Sequence, residues 1–145
     1  ETGKEKQSFV GSTRSMLALG ISPDGKTLVS AGWEPESLVW DISERKKVRT
    51  LKGRSERVYS LQFRADGKQV ISGSHDRSAI IWDPLTGEVI QKLSGHTGGV
   101  TGAFFVKDRP LVWTARLDGS LPLGNTENGK ELLCLYTFNQ GKDWL

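Results

Sequence analysis

The chain has 145 residues, 36% hydrophobic and 26% charged, which excludes a disordered segment and fits one modest globular unit. Twenty Lys and Arg against 17 Asp and Glu give a net charge of +3, too slight an excess to imply nucleic acid by itself. A lone cysteine, Cys134, excludes an internal disulfide and any zinc site with two or more thiolates. It fits a reducing, cytoplasmic compartment.

The apolar runs are short and separated by turn residues, so no run is long enough for a membrane-spanning helix. The elements recur at a spacing of 42 residues. Val39-Trp40-Asp41 returns as Ile81-Trp82-Asp83, and Ser22-Pro23-Asp24-Gly25-Lys26 returns as Arg64-Ala65-Asp66-Gly67-Lys68 and then as Val106-Lys107-Asp108-Arg109-Pro110. Gly53 and Gly95 share this register, as do Gly3, Gly87 and Gly129, and no gap is needed. Several columns locked to one period mark an internal repeat.

In chain order, Lys4 to Val10 comes first, in register with Lys46–Lys52, Glu88–Ser94 and Lys130–Tyr136; Phe9, Leu51, Leu93 and Leu135 share one column. A first full period runs from about Ser15 to Leu51, a second from Val58 to Leu93 and a third from Val100 to Tyr136. The second shows four apolar runs, Val58–Phe63, Gln69–Gly73, Ala79–Trp82 and Glu88–Leu93, rich in Val, Ile, Phe and Tyr. That composition predicts strands, and Asp66-Gly67 between two runs predicts a hairpin turn. Four antiparallel strands in about 40–45 residues make a propeller blade.

The succession of Gly-His (Gly95-His96), an apolar strand, Ser-Pro-Asp-Gly-Lys, a second strand ending in Ser-Gly, an Asp-bearing turn and Trp-Asp resembles the WD-repeat β-propeller family over nearly the whole chain. The resemblance implies an all-β fold of three four-stranded antiparallel blades plus one extra N-terminal outer strand, in an incomplete ring. It divides the chain into an outer strand of a preceding blade with its loop (1–14), blade 1 (15–52), blade 2 (53–94), blade 3 (95–137) and a tail (138–145). The tail, Phe138 to Leu145, resembles the segment after the last repeat of some large bacterial WD-repeat proteins, where it leads toward another domain.

The family also implies a buried network in each blade, joining a Ser or Thr, an acid, a His and the Trp. The columns read Ser30, Ser72 and Thr114; Glu34, Asp76 and Asp118; Ser12, Arg54 and His96; Trp40, Trp82 and Gly124. No blade holds all four. Thr114, His96 and Asp118 would suit a hydrolase triad, but they occupy the structural columns and no oxyanion element accompanies them, so no catalytic residue is expected. Trp113 aligns with Val29 and Ile71 and is expected in the core, filling space left at Gly124.

In propellers the loops between strands b and c and between blades gather on one face, which commonly binds partners. Here that face is expected to present Trp33, Arg54, Arg57, His75, Arg77 and Arg116, a composition typical of contact hot spots. The leading expectation is therefore a protein- or peptide-binding scaffold. It is not expected to be an enzyme or to need a cofactor or metal. A sensor or regulatory propeller of a multidomain protease or kinase is the alternative. Nucleic-acid binding ranks last, because Glu34, Glu36 and Glu56 interrupt the basic surface. Closed propellers need about 4–8 blades. Three blades, no Met at position 1 and an ending at Trp144-Leu145 suggest a piece of a longer propeller, or copies that self-associate to close a ring.

Overall fold

A computed structural model describes residues 8–12, 14–138 and 143–144. It contains three four-stranded antiparallel sheets in sequence. The first comprises β1 (Met16–Ile21), β2 (Thr27–Gly32), β3 (Ser37–Asp41) and β4 (Lys46–Leu51). The second holds β5 (Val58–Phe63), β6 (Val70–Ser74), β7 (Ala79–Trp82) and β8 (Val89–Leu93). The third holds β9 (Val100–Phe105), β10 (Leu111–Arg116), β11 (Leu121–Asn125) and β12 (Glu131–Leu135). Each is a simple meander with strands in chain order. A two-stranded ribbon, β13 (Thr137–Phe138) and β14 (Asp143–Trp144), follows. Among the described residues no strand joins the third sheet to the first, so the arc is open.

The turns explain the repeated columns. In the first two blades Gly25 and Gly67 take φ of 70° and 72° between the first and second strands. Each amide bonds back to a carbonyl three residues earlier, Ser22 and Arg64. The third copy has Arg109 at the glycine position, and the positive φ moves one residue back to Asp108, at 57°. Asp tolerates that region better than Arg does. The aspartate after each tryptophan also has a local task. Asp41 Oδ1 accepts from the Glu44 amide at 2.8 Å, and Asp83 Oδ1 from the Leu85 amide at 2.7 Å. Asn125 does the same in the third copy, toward the Glu127 amide at 2.8 Å.

Successive side chains of a strand point to opposite faces, so each blade has one face toward its predecessor and one toward its successor. Val29, Val39 and Leu51 of the first sheet pack on Phe63, Val70, Ile80 and Trp82 of the second. Ile71, Ala79, Ile81 and Leu93 of the second pack on Val100, Ala103 and Val112 of the third. Among the described residues no neighbouring sheet packs on the outward faces of the end blades. Leu19 and Ile21, one period before the packed Leu61 and Phe63, are exposed, as are Phe104 and Leu133 at the other end.

Two expectations are corrected here. Trp113 does not fill the space at Gly124. It lies on the far face of the third sheet, beside Phe104, Leu121 and Leu135, while Leu93 of the second blade crowds Gly124. The expected strand over Lys4 to Val10 falls in part outside the described residues, and Ser8 to Val10 carry no strand. The register nevertheless holds there. The Phe9 ring meets Trp40 edge-on at 5.5 Å, and Gly11 lies so close to Trp40 that a Cβ would come within 2.4 Å of the ring. Leu51 and Gly53 stand at the same positions beside Trp82.

Candidate functional site

Two sets of residues were expected to carry the interior network and the loop face, and the structure redistributes them. In blades 1 and 2 the Trp and Ser columns meet as expected. Trp40 Nε1 donates to Ser30 Oγ at 2.8 Å, and Trp82 Nε1 to Ser72 Oγ at 2.7 Å. Both indoles are buried.

Arg54 was expected on the exposed face and is instead interior. Its side chain is 0% exposed. It occupies the His column and reaches the rest of the network. Nη2 donates to Ser72 Oγ at 2.6 Å and to the Ser72 carbonyl at 2.5 Å. Nη1 donates to Asp76 Oδ1 at 3.0 Å and to Ser78 Oγ and carbonyl, each at 2.9 Å. Burial pushes the Asp76 carboxyl up, but the Ser78 hydroxyl and the Arg54 guanidinium outweigh it and hold it below the usual carboxylate range. In blade 1 the same two columns meet more weakly, Ser12 Oγ donating to Glu34 Oε2 at 3.1 Å.

Blade 3 has the family's His and Asp, yet they do not bond each other. Arg116, also expected on the loop face, is buried and donates from Nε to His96 Nδ1 at 3.0 Å and from Nη2 to Glu131 Oε2 at 2.5 Å. Accepting at Nδ1 makes His96 neutral with its proton on Nε2, and that nitrogen is buried without a partner. Burial first, and the Arg116 charge second, hold the imidazole pKa below its ordinary value. Asp118 was expected inside and is exposed. The hydroxyls of Ser120 (2.6 Å) and Thr97 (2.8 Å) and the Ser120 amide (2.9 Å) bond it. They lower its pKa to about 2, Ser120 acting most strongly. Thr114 is buried and makes no bond to either. The triad geometry a hydrolase would need is therefore not assembled from these three residues.

The loop face does form between the first two blades. Trp33 is 46% exposed, and the Arg57 guanidinium lies 4.5 Å from its ring. The same guanidinium lies 5.6 Å from the Tyr59 ring. The Tyr59 hydroxyl bonds His75 Nδ1 at 3.2 Å, and the two rings meet edge-on. Trp33, Arg57 and His75 were legible as loop residues; Tyr59 was missed, because its position in strand β5 reads as interior. Arg77 is exposed on the adjoining turn, where its φ is 63°.

The row sits on fixed backbone. The Trp33 amide bonds the Ser15 carbonyl at 3.1 Å, His75 bonds Arg57 at 3.0 Å and Leu117 bonds Gly99 at 2.9 Å. These are one bond repeated at the 42-residue period, and each ties a loop residue to the stretch that enters the inner strand of its own blade.

Comparison with known proteins agrees with this architecture. The model of the family described as WD domain, G-beta repeat matches residues 3–41 and 45–83. Among solved structures, that of U3-55K superposes with a TM-score of 0.84 at 20% sequence identity, covering 94% of this chain and 42% of that one. The crystal structure of RRP9 WD40 repeats gives the same values. This chain thus spans about two fifths of the length of those chains, and at such identity the likeness concerns the fold. No curated protein matches the sequence.

Proposed function

Since the chain belongs to the WD domain, G-beta repeat family, we propose that it is a scaffold whose loop face between blades 1 and 2 docks a protein or peptide, with no chemistry of its own. The observation that carries this reading is the continuous row of Trp33, Arg57, Tyr59 and His75, with a half-exposed indole at its end. Aromatic and Arg side chains contribute large contact area, and a row already ordered by its own stacking loses little entropy on binding. Trp33 is also unconstrained by the repeat, since His75 and Leu117 hold its column elsewhere. Selection of displayed peptides against the chain, repeated with Trp33→Ala, tests the reading. Peptides should lose binding at least about tenfold on Trp33→Ala, the loss expected for a contact worth more than 1.4 kcal/mol. The β-sheet signal should stay unchanged. Binding indifferent to Trp33, or a chain unfolded by the change, would overturn it.

The burial of Arg54 and Arg116 removes two of the cations on which a nucleic-acid surface would have relied, leaving the scaffold reading favoured. The open ends support a second association. Leu19 and Ile21 at one end and Phe104 and Leu133 at the other are exposed where the middle blade's equivalent faces are covered, so where no further blade covers them copies of the chain are expected to pair end to end. Sedimentation across a concentration series should show species heavier than 16.0 kDa; a strict monomer at every concentration refutes it.

A further inference from the structure

We propose that the Arg57 guanidinium receives a carboxylate of the docked partner, so that the loop face selects an acidic peptide with an apolar residue beside its Asp or Glu. The proposal rests on the loop face being the docking surface.

The two buried arginines show what a structurally committed guanidinium looks like in this fold. Arg54 is bonded to Asp76, Ser72 and Ser78, and Arg116 to His96, Ser120 and Glu131. Arg57 is held differently. It is flanked by two aromatic rings, and among the described residues no carboxylate lies within ion-pair distance of it. Its Nε is buried without a bond. Its Cζ lies over the Trp33 ring, and among the described residues no hydrogen bond engages its terminal Nη groups. Those groups present paired N–H donors in the geometry that matches a carboxylate. The indole of Trp33 lies against the same group, half exposed, as an apolar platform.

The acids around the row are already engaged or hold back a polyanion. Asp76 serves Arg54, Asp118 serves Thr97 and Ser120, and Glu36 pairs with Lys52 at 3.7 Å. Glu56 is exposed next to Arg57 in the chain. One unpaired, oriented guanidinium amid carboxylates suits a single carboxylate better than a string of phosphates.

Two immobilised octapeptide libraries supply the test. Both have randomised apolar positions; one has Glu fixed at the centre and the other Gln. The wild-type chain should bind the Glu library about tenfold more tightly, as expected for a charge-assisted hydrogen bond. Arg57→Gln should erase that preference, so that the variant binds the two libraries alike. Arg57→Lys, which keeps the charge without the fork, should retain part of it. Equal binding of both libraries by the wild type, lost on Trp33→Ala, overturns the carboxylate proposal and leaves the docking surface standing. Binding of neither library, or binding insensitive to Trp33→Ala, removes the docking surface and this proposal together.

Discussion

Blades 2 and 3 are built on the same repeat and solve the same interior problem in opposite ways. Blade 2 keeps the tryptophan, lacks the histidine and substitutes Arg54, whose long side chain reaches Ser72, Asp76 and Ser78 at once. The result is a closed network that also takes the Trp82 N–H. Blade 3 keeps His96 and Asp118 and lacks the tryptophan, with Gly124 in its place. Its polar groups disperse: His96 turns to Arg116, Asp118 to Thr97 and Ser120, and Thr114 joins neither. The comparison teaches that the indole organises the set. Its N–H fixes the Ser hydroxyl, and its bulk closes the gap against which the other groups are ordered. Where the bulk is absent, matching residue types at matching columns do not assemble.

The strongest way to break the comparison is to remove the guanidinium of blade 2. Arg54→Met strips a buried cation from Asp76, whose side chain is 7% exposed, and should destabilise the chain by about 3–5 kcal/mol, the range for breaking a buried pair by losing one partner. The pH dependence carries the same signature. Because the folded Asp76 pKa is lowered, its contribution is present above the unfolded value and lost as pH falls through the folded one. Arg54→Met should shrink that acid-side loss. Denaturant melts of both chains between pH 7 and pH 3 measure it; a cost below about 1 kcal/mol, the level of an ordinary exposed pair, would mean the pair is not buried as described.

A smaller contrast sharpens the role of the Ser/Thr column. Ser72→Ala leaves the Trp82 N–H and one Arg54 donor without their acceptor and should cost about 1–2 kcal/mol. Thr114→Val, which preserves shape where the hydroxyl makes no bond among the described residues, should fall within about 0.5 kcal/mol of the unmodified chain. Equal costs for the two would show that the column acts through packing alone and that the tryptophan does not organise it.

Much of this was readable from the residues. The period of 42, the four strands of each blade and the turn positions follow from columns of Asp, Gly and β-favouring residues, since turn chemistry and side-chain alternation are local properties. Trp33 stood out because its column elsewhere holds His75 and Leu117, so the repeat does not demand it. Arg54 and Arg116 were misplaced as surface cations for a general reason. An arginine between turn residues reads as solvated, and only the neighbouring strands reveal a carboxylate and hydroxyls at the right reach.

What the amino-acid sequence by itself determined is thus the blade: its length, its strands, its turns and the Trp–Ser bond, all set within one repeat by neighbours close along the chain. Only the tertiary structure decided which face of each blade is covered, and that Trp113 faces outward while Leu93 crowds Gly124. It also decided that Arg57 meets the rings of both Trp33 and Tyr59, from two different blades. Such contacts join residues across separate sheets. Their partners depend on how blades stack, which no single repeat encodes, because burial and pairing are properties of the space between elements.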